Sequence, residues 1–176
     1  DGGWDEDPCA AECGMPPWAS PGDLRARLYL SANAAYWLTV GGYAEQPAFG
    51  EALAFLLQHR DETGRFYGFL HSTWIATSVF AMAGDQYAEV ARKGLQVLVS
   101  RSLPEWVDSQ ICWALGCLSR AGIPRDHPFI ETCLTELCRR QGPQGQWASE
   151  DGETQAVGAT IETLKVLKHY GLLETV

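Results

Sequence analysis

Apolar residues along this chain recur at helical spacing, in runs cut by glycine and proline at short intervals. The pattern predicts helices over 22–41, ending at Gly41-Gly42, and over 47–59, opening on Pro47. Proline is favoured in a first helical turn, where its missing N–H costs nothing. Further helices are predicted over 70–83, ending at Gly84, over 86–100, and over 105–121, ending at Gly122. The last two cover 127–140, starting near Pro128, and 153–170, ending at Gly171. Glycine just past a helix is the expected stop because it accepts a left-handed backbone. No stretch sustains period-two alternation with β-branched residues, so the reading is all-α without a sheet.

The helices alternate in kind. Segments 47–59, 86–100 and 127–140 are amphipathic, with charges such as Arg92, Lys93, Glu131, Glu136 and Arg139 on one side. Segments 70–83 and 105–121 are apolar on nearly every face, with Trp74, Phe80, Trp113, Leu115 and Leu118. A helix apolar all round is a buried helix. Each unit of the pattern thus pairs an outer, half-solvated helix with an inner, enclosed one.

A motif recurs with this alternation, at a period of roughly 40 residues. Its fullest copy is Leu137, Gln141, Gly145 and Trp147; a second is Leu56, Arg60, Gly64 and Phe66. The two glycines are 145 − 64 = 81 residues apart, which leaves room for a copy between them, found at Leu98, Ser102 and Trp106. A partial copy opens the chain with Gly2 and Trp4. Counting back eleven residues from Gly42, Gly84, Gly122 and Gly171 gives Ser31, Thr73, Ile111 and Thr160. That column is small or β-branched in every copy, which supports the alignment.

The pattern Leu-x3-Gln-x3-Gly-x-Trp, followed by an alanine- and threonine-rich helix closed by glycine, resembles the QW motif of squalene and oxidosqualene cyclases. More broadly it is similar to the prenyltransferase and squalene-cyclase repeat superfamily, the α/α-toroids. The resemblance runs from Gly2 to Gly171, with one full copy at 137–147 and three degenerate ones. It implies an all-α, α/α-toroid-like array of about four helical hairpins, a partial or small barrel. One domain is expected over 1–176, with 1–21 an irregular N-terminal segment. In that family the Gln and Trp tie an outer helix end to the start of the next inner helix. Here the Gln141 amide can satisfy orphan groups at a helix end, and Trp147 can cover it. The motif names a fold and no reaction. Complete toroids have more hairpins than this chain, so an apolar edge is expected to need cover. The N-terminal segment or a homodimer would provide it.

Composition narrows the function classes. The chain has 176 residues, 46% hydrophobic and 20% charged, with a formal net charge of −9. Binding to nucleic acid, whose phosphates require clustered Lys and Arg, is excluded on this reading, as is an anionic membrane surface. No apolar run is long enough for a membrane span, the start is acidic rather than signal-like, and a cytoplasmic setting is expected. Of six cysteines, Cys112, Cys117, Cys133 and Cys138 fall in helical patterns and read as buried thiols. Cys9 and Cys13 lie in a Pro/Gly-rich segment, open to a disulfide or half of a metal site.

The family's known chemistries fit this chain poorly. The DxDD acid motif of class II terpene cyclases is absent, and the nearest cluster, Asp5-Glu6-Asp7, reads as solvated charge. The DDxxD-type motif of class I synthases is absent too. Prenyltransferase β-subunits hold zinc with an Asp-x-Cys pair and a distant His. The comparable Asp108-Ser109-Gln110 lacks the cysteine, and Gly158 to Thr160 offers no histidine, so no metal or cofactor is expected. The Gly-Cys-Gly-Glu-Gln signature of thioester domains does not occur.

What remains are polar residues at the starts of the inner helices, where a toroid's cavity opens. His71, Asp108 and Gln110 sit there, with Glu153 and Gln155 at the last one and Glu162 deeper in it. Asp108 reads either as a helix cap or as a cavity acid paired with His71. Trp74, Trp113, Tyr36 and Trp37 supply aromatic faces, either as core or as a lining that stabilises cations. The resemblance therefore implies a small terpene-cyclase-like enzyme, a cyclase or isomerase acting on an apolar terpenoid or polyketide-like molecule. Asp108, His71 and Glu162 would carry acid–base catalysis, with Trp74, Trp113, Gln110, Tyr36 and Trp37 binding substrate. The competing reading is a non-catalytic module that holds a lipid-like ligand or a protein partner.

Overall fold

The computed structural model describes residues 1–173. It is all-α, with helices α1 (Leu24–Val40), α2 (Pro47–Gln58), α3 (Leu70–Met82), α4 (Ala88–Val99), α5 (Asp108–Arg120), α6 (Pro128–Arg140) and α7 (Ala156–His169). Short 3-10 turns precede α1, α4, α5 and α7, and one isolated bridge joins Arg60 to Phe66. Each helix falls inside one of the seven segments read from the sequence. The glycine stops hold as well. Gly42, Gly122 and Gly171 have φ of +78°, +74° and +72°, and the next N–H reaches back to Leu38, Leu118 and Leu167 respectively. That six-to-one bond closes α1, α5 and α7 in the same way. No helix among the described residues is long and apolar enough to cross a membrane.

The chain folds as two compact units, residues 1–98 and residues 99 onward. In the first, α1 packs beside α3 and against α2. Residues 72–80 of α3 are all buried, as a helix without a polar face requires. Asp23 caps α1 by accepting the N–H groups of Arg25 and Ala26. The N-terminal segment lies along α1: Ala19 is fully buried, Trp18 meets the edge of Tyr29, and Arg27 pairs with Asp1 at 2.6 Å.

In the second unit α5 packs against both α6 and α7. The α6 residues Phe129, Ile130, Cys133, Leu134 and Leu137 are buried, which matches its amphipathic pattern. Cys138 departs from expectation and is exposed, whereas Cys112, Cys117 and Cys133 are buried. Helical spacing is the reason, since Cys138 lies five residues beyond Cys133 and so turns away from the buried face. Helix α7 is also less enclosed than the alternation suggests. Ala159, Thr163, Val166 and Leu167 are buried, while Val157, Ile161 and Leu164 are exposed.

The 81-residue register is visible in backbone geometry. After α2, Asp61 N–H donates to Arg65 O at 2.9 Å and Gly64 N–H to Asp61 O at 3.1 Å. After α6, Gly142 N–H donates to Gln146 O at 2.8 Å and Gly145 N–H to Gly142 O at 2.8 Å. The donor and acceptor of both these bonds in the first loop have their counterparts 81 residues later. Side chains support the two loops differently. Asp61 Oδ1 accepts from Thr63 N, Thr63 Oγ1 and Arg65 N, whereas Gln146 Oε1 accepts from Gln144 N.

The motif residues act as fastenings. The indole Nε1–H of Trp147 donates to Leu137 O at 2.7 Å, satisfying a carbonyl in the last turn of α6. Gln141 Nε2 donates to Gly145 O at 3.2 Å and pins the loop. In the earlier copy the Phe66 ring has no N–H to offer, and Leu56 O accepts instead from His59 N at 3.2 Å. Two members of the small or β-branched column join in: Trp147 N–H donates to Thr160 Oγ1 at 3.1 Å, and Trp4 N–H to Ser31 Oγ at 2.8 Å.

Candidate functional site

Asp108 is the first residue of α5, after the N-cap Val107, and is 7% exposed. Its carboxylate does not cap its own helix. Oδ2 accepts Ala148 N–H at 2.9 Å and Oδ1 accepts Arg140 Nη1 at 3.3 Å. The same first turn takes further bonds from the segment after Trp147. Ser109 N–H donates to Ala148 O at 3.1 Å, Glu150 N–H to Ser109 Oγ at 2.9 Å, and Gln110 Nε2 to Glu150 Oε2 at 2.6 Å. Gln110 Oε1 also accepts Val107 N–H at 3.2 Å. The segment 148–150 is thus laced to the start of α5, and Asp108 and Gln110 are part of the lacing.

Arg140 completes this arrangement. Its Nε donates to Glu136 Oε1 at 2.6 Å, Nη2 to Leu103 O at 2.8 Å, and Nη1 to Trp106 O as well as to Asp108. A planar guanidinium with five donors suits a buried junction of two carboxylates and two carbonyls. The Arg139 and Arg140 guanidiniums hold the Glu136 carboxyl down at about 2, so it is charged at any neutral pH. A cleft of about 380 Å³ opens beside the junction, with Asp108, Arg140, Trp147, Ala148 and Glu153 among its lining residues. Arg140 was not singled out by sequence reasoning. Its position one residue before the motif's Gln141, and the lone acid at the start of α5, were the available signals.

The other candidates are placed as follows. His71 belongs to the first unit and Asp108 to the second. The His71 ring meets Tyr29 edge-on at 6.1 Å and lies 4.5 Å from the Trp74 ring. Tyr29 in turn meets Trp18 and Phe69, at 5.8 and 6.4 Å, which makes an aromatic cluster at the start of α3. Sequence reasoning named His71 and Trp74 and missed Tyr29, whose partners come from the N-terminal segment and the loop before α3. Trp74 and Tyr36 are buried and fill the core of the first unit. Trp37 is 60% exposed, edge-on to Tyr36 at 5.3 Å. Trp113 is half-buried on α5. Glu162 is exposed on α7 and pairs with Lys165 at 2.6 Å.

A second cleft, of about 330 Å³, lies in the first unit between Arg25, His59, Asp61, Arg65 and Tyr67. Within it Arg25 pairs with Asp23 at 2.8 Å, and Asp61 is bonded into its own loop. Among the described residues no group of three or more His, Cys, Asp and Glu side chains is arranged to hold a metal ion. No family model matches the chain, and no curated protein matches it in sequence.

Proposed function

We propose that the chain is a non-catalytic helical-repeat module of the α/α-toroid type, similar to the squalene-cyclase and prenyltransferase repeat, which works by binding a lipid-like ligand or a protein partner. The observation that carries this reading is the state of Asp108. Both carboxylate oxygens are engaged, one by a backbone N–H and one by a guanidinium. A general acid must carry a proton and present it to substrate. The Asp108 carboxylate instead has both oxygens engaged by the fold and is nearly buried. Glu162 is no better placed, on a solvent-facing side of α7 in an ion pair with Lys165. Binding surface is available in the first unit, where Trp37 and Tyr43 are 60% and 58% exposed near the end of α1.

The acid–base cyclase or isomerase reading stays second. It is favoured by the cleft beside Asp108, which Glu153 also lines. The two readings separate in one assay. Purified protein and its Asp108→Asn variant are incubated with squalene and with polyprenyl diphosphates, and extracts are analysed by gas chromatography with mass detection. The binding module gives no product from either protein, with the variant less stable. Turnover by the wild type that vanishes in a well-folded variant establishes the enzyme instead.

A further inference from the structure

Helix α7 carries a continuous outward stripe formed by Val157, Ile161, Leu164 and Lys168, all exposed. At 100° per residue these four fall within one narrow sector, opposite the buried Ala159, Thr163 and Val166. The stripe covers about 16 Å of helix axis. A Cβ added at Gly158 on its flank would meet nothing within 4 Å, so another backbone can approach closely there.

Charge is distributed asymmetrically about this stripe. Glu150, Asp151 and Glu153 precede α7 and are exposed, while Lys165, Lys168 and His169 stand exposed at its far end. The middle of the stripe is apolar, with Glu162 on its flank paired to Lys165, which leaves Lys168 and His169 as the unpaired charge of the far end among the described residues. An antiparallel copy of the same helix, related by a twofold axis at Ile161, sets residue i beside a residue near 322 − i. Glu153 then faces Lys168 and His169, Val157 faces Leu164 and Lys165, and Ile161 meets its own symmetry mate. Acidic end meets basic end twice, and an apolar centre meets itself. A parallel pair would instead place acid against acid and base against base. Isologous contacts of this kind are the commonest way for soluble chains to associate.

We propose that α7 is a self-association surface on which a second copy of this chain docks antiparallel, forming a twofold dimer centred on Ile161. The proposal is independent of whether the chain is catalytic, since neither Asp108 nor His71 lies in the stripe. One helix pair is a small interface, so dissociation is expected on the order of 10–100 µM.

The test is sedimentation velocity on the full chain across that concentration range, at low and high salt. The wild type should shift from monomer to dimer and lose several-fold affinity in high salt, because the flanking contacts are ionic. Ile161→Lys should be monomeric throughout with an unchanged circular dichroism melt, the side chain being 48% exposed in the monomer. Lys168→Glu should weaken the dimer, and Glu153→Lys combined with Lys168→Glu should restore it. A wild type that remains monomeric at every concentration overturns the proposal. So does a dimer that survives Ile161→Lys, since it must use another surface. Failure of the double variant to recover affinity overturns the antiparallel arrangement.

Discussion

The indole N–H of Trp147 points at the carbonyl oxygen of Leu137 and donates to it at 2.7 Å, inside the buried core. A helix-end carbonyl that would otherwise be left unsatisfied is capped by a side chain ten residues further along. The repeat motif is therefore a local device: it ends a helix, turns the chain and seals the turn. Trp147→Phe retains most of the ring volume and removes the donor. It should cost about 1–2 kcal/mol, the price of a buried acceptor left unpaired. Trp147→Ala should cost about 3–5 kcal/mol, because a cavity is added. Urea denaturation of both variants checks the ratio.

The two loop glycines at the 81-residue register should differ in tolerance. Gly64 and Gly145 both have left-handed backbones, at φ of +98° and +84°. A Cβ at Gly145 would meet only the end of Gln141, at 3.7 Å, whereas at Gly64 the Lys93 backbone carbon lies 2.8 Å away, with Lys93 Cβ closer still. Gly145→Ala should cost about 1–2 kcal/mol from backbone strain alone. Gly64→Ala should cost about 3 kcal/mol or more, since the neighbour is backbone and cannot swing aside. Thermal melts of the pair give the comparison directly.

Thiol chemistry should divide the six cysteines in half. Cys9, Cys13 and Cys138 are exposed, and Cys112, Cys117 and Cys133 are buried. Burial pushes the Cys112 thiol up to about 11 and the Cys133 thiol up as well. A native-state titration with an aromatic disulfide reagent should therefore count three groups, and a titration in denaturant six. The Cys9 thiol, raised chiefly by its hydrogen bond with Asp7, should react more slowly than an unhindered cysteine.

Stability should fall at both ends of the pH scale for opposite reasons. Glu136 is held at about 2 by Arg139 and Arg140, against an ordinary 4.5. Its contribution is present above pH 4.5 and is lost as pH falls toward 2. Cys112 and Tyr170 are raised by burial, to about 11 and about 12, against 9.0 and 10.0. The Cys112 contribution is intact below pH 9 and is lost as pH rises through 11, and that of Tyr170 is intact below pH 10 and is lost as pH rises through 12. Melting temperature recorded from pH 3 to pH 11 should give a plateau with both limbs falling, the acid one shallower in Glu136→Gln because Asp23 and Asp61 are also held low.

Much of this fold was legible because its signals are local. Glycine stops, prolines near helix starts and the apolar spacing each depend on a few neighbouring residues, and all seven helices lie where those signals put them. The column of Ser31 and Thr160 was legible for the same reason, since a count from Gly42 and Gly171 found two hydroxyls that accept from a motif Trp. The site was less legible. Sequence pattern marks Asp108 as a polar residue at a helix start but carries no trace of Ala148 or Arg140, which reach it from 40 and 32 positions away. Cys138 was misplaced because an amphipathic helix has flanks, and periodicity alone does not say where burial stops.

Asp108 and Arg140 provide the most direct test of the claim that the acids of this chain fasten it together. Each is removed singly, as Asp108→Ala and Arg140→Met, then together, and the unfolding free energies are compared in urea. The account predicts that Asp108→Ala costs about 1–3 kcal/mol, because it leaves the Ala148 N–H without its acceptor and takes from Arg140 one of its two carboxylates. The pair should couple by about 1–3 kcal/mol. Additive losses with no coupling, or an Asp108→Ala protein more stable than the wild type, would contradict it, the second being the mark of an acid kept for function at the expense of the fold.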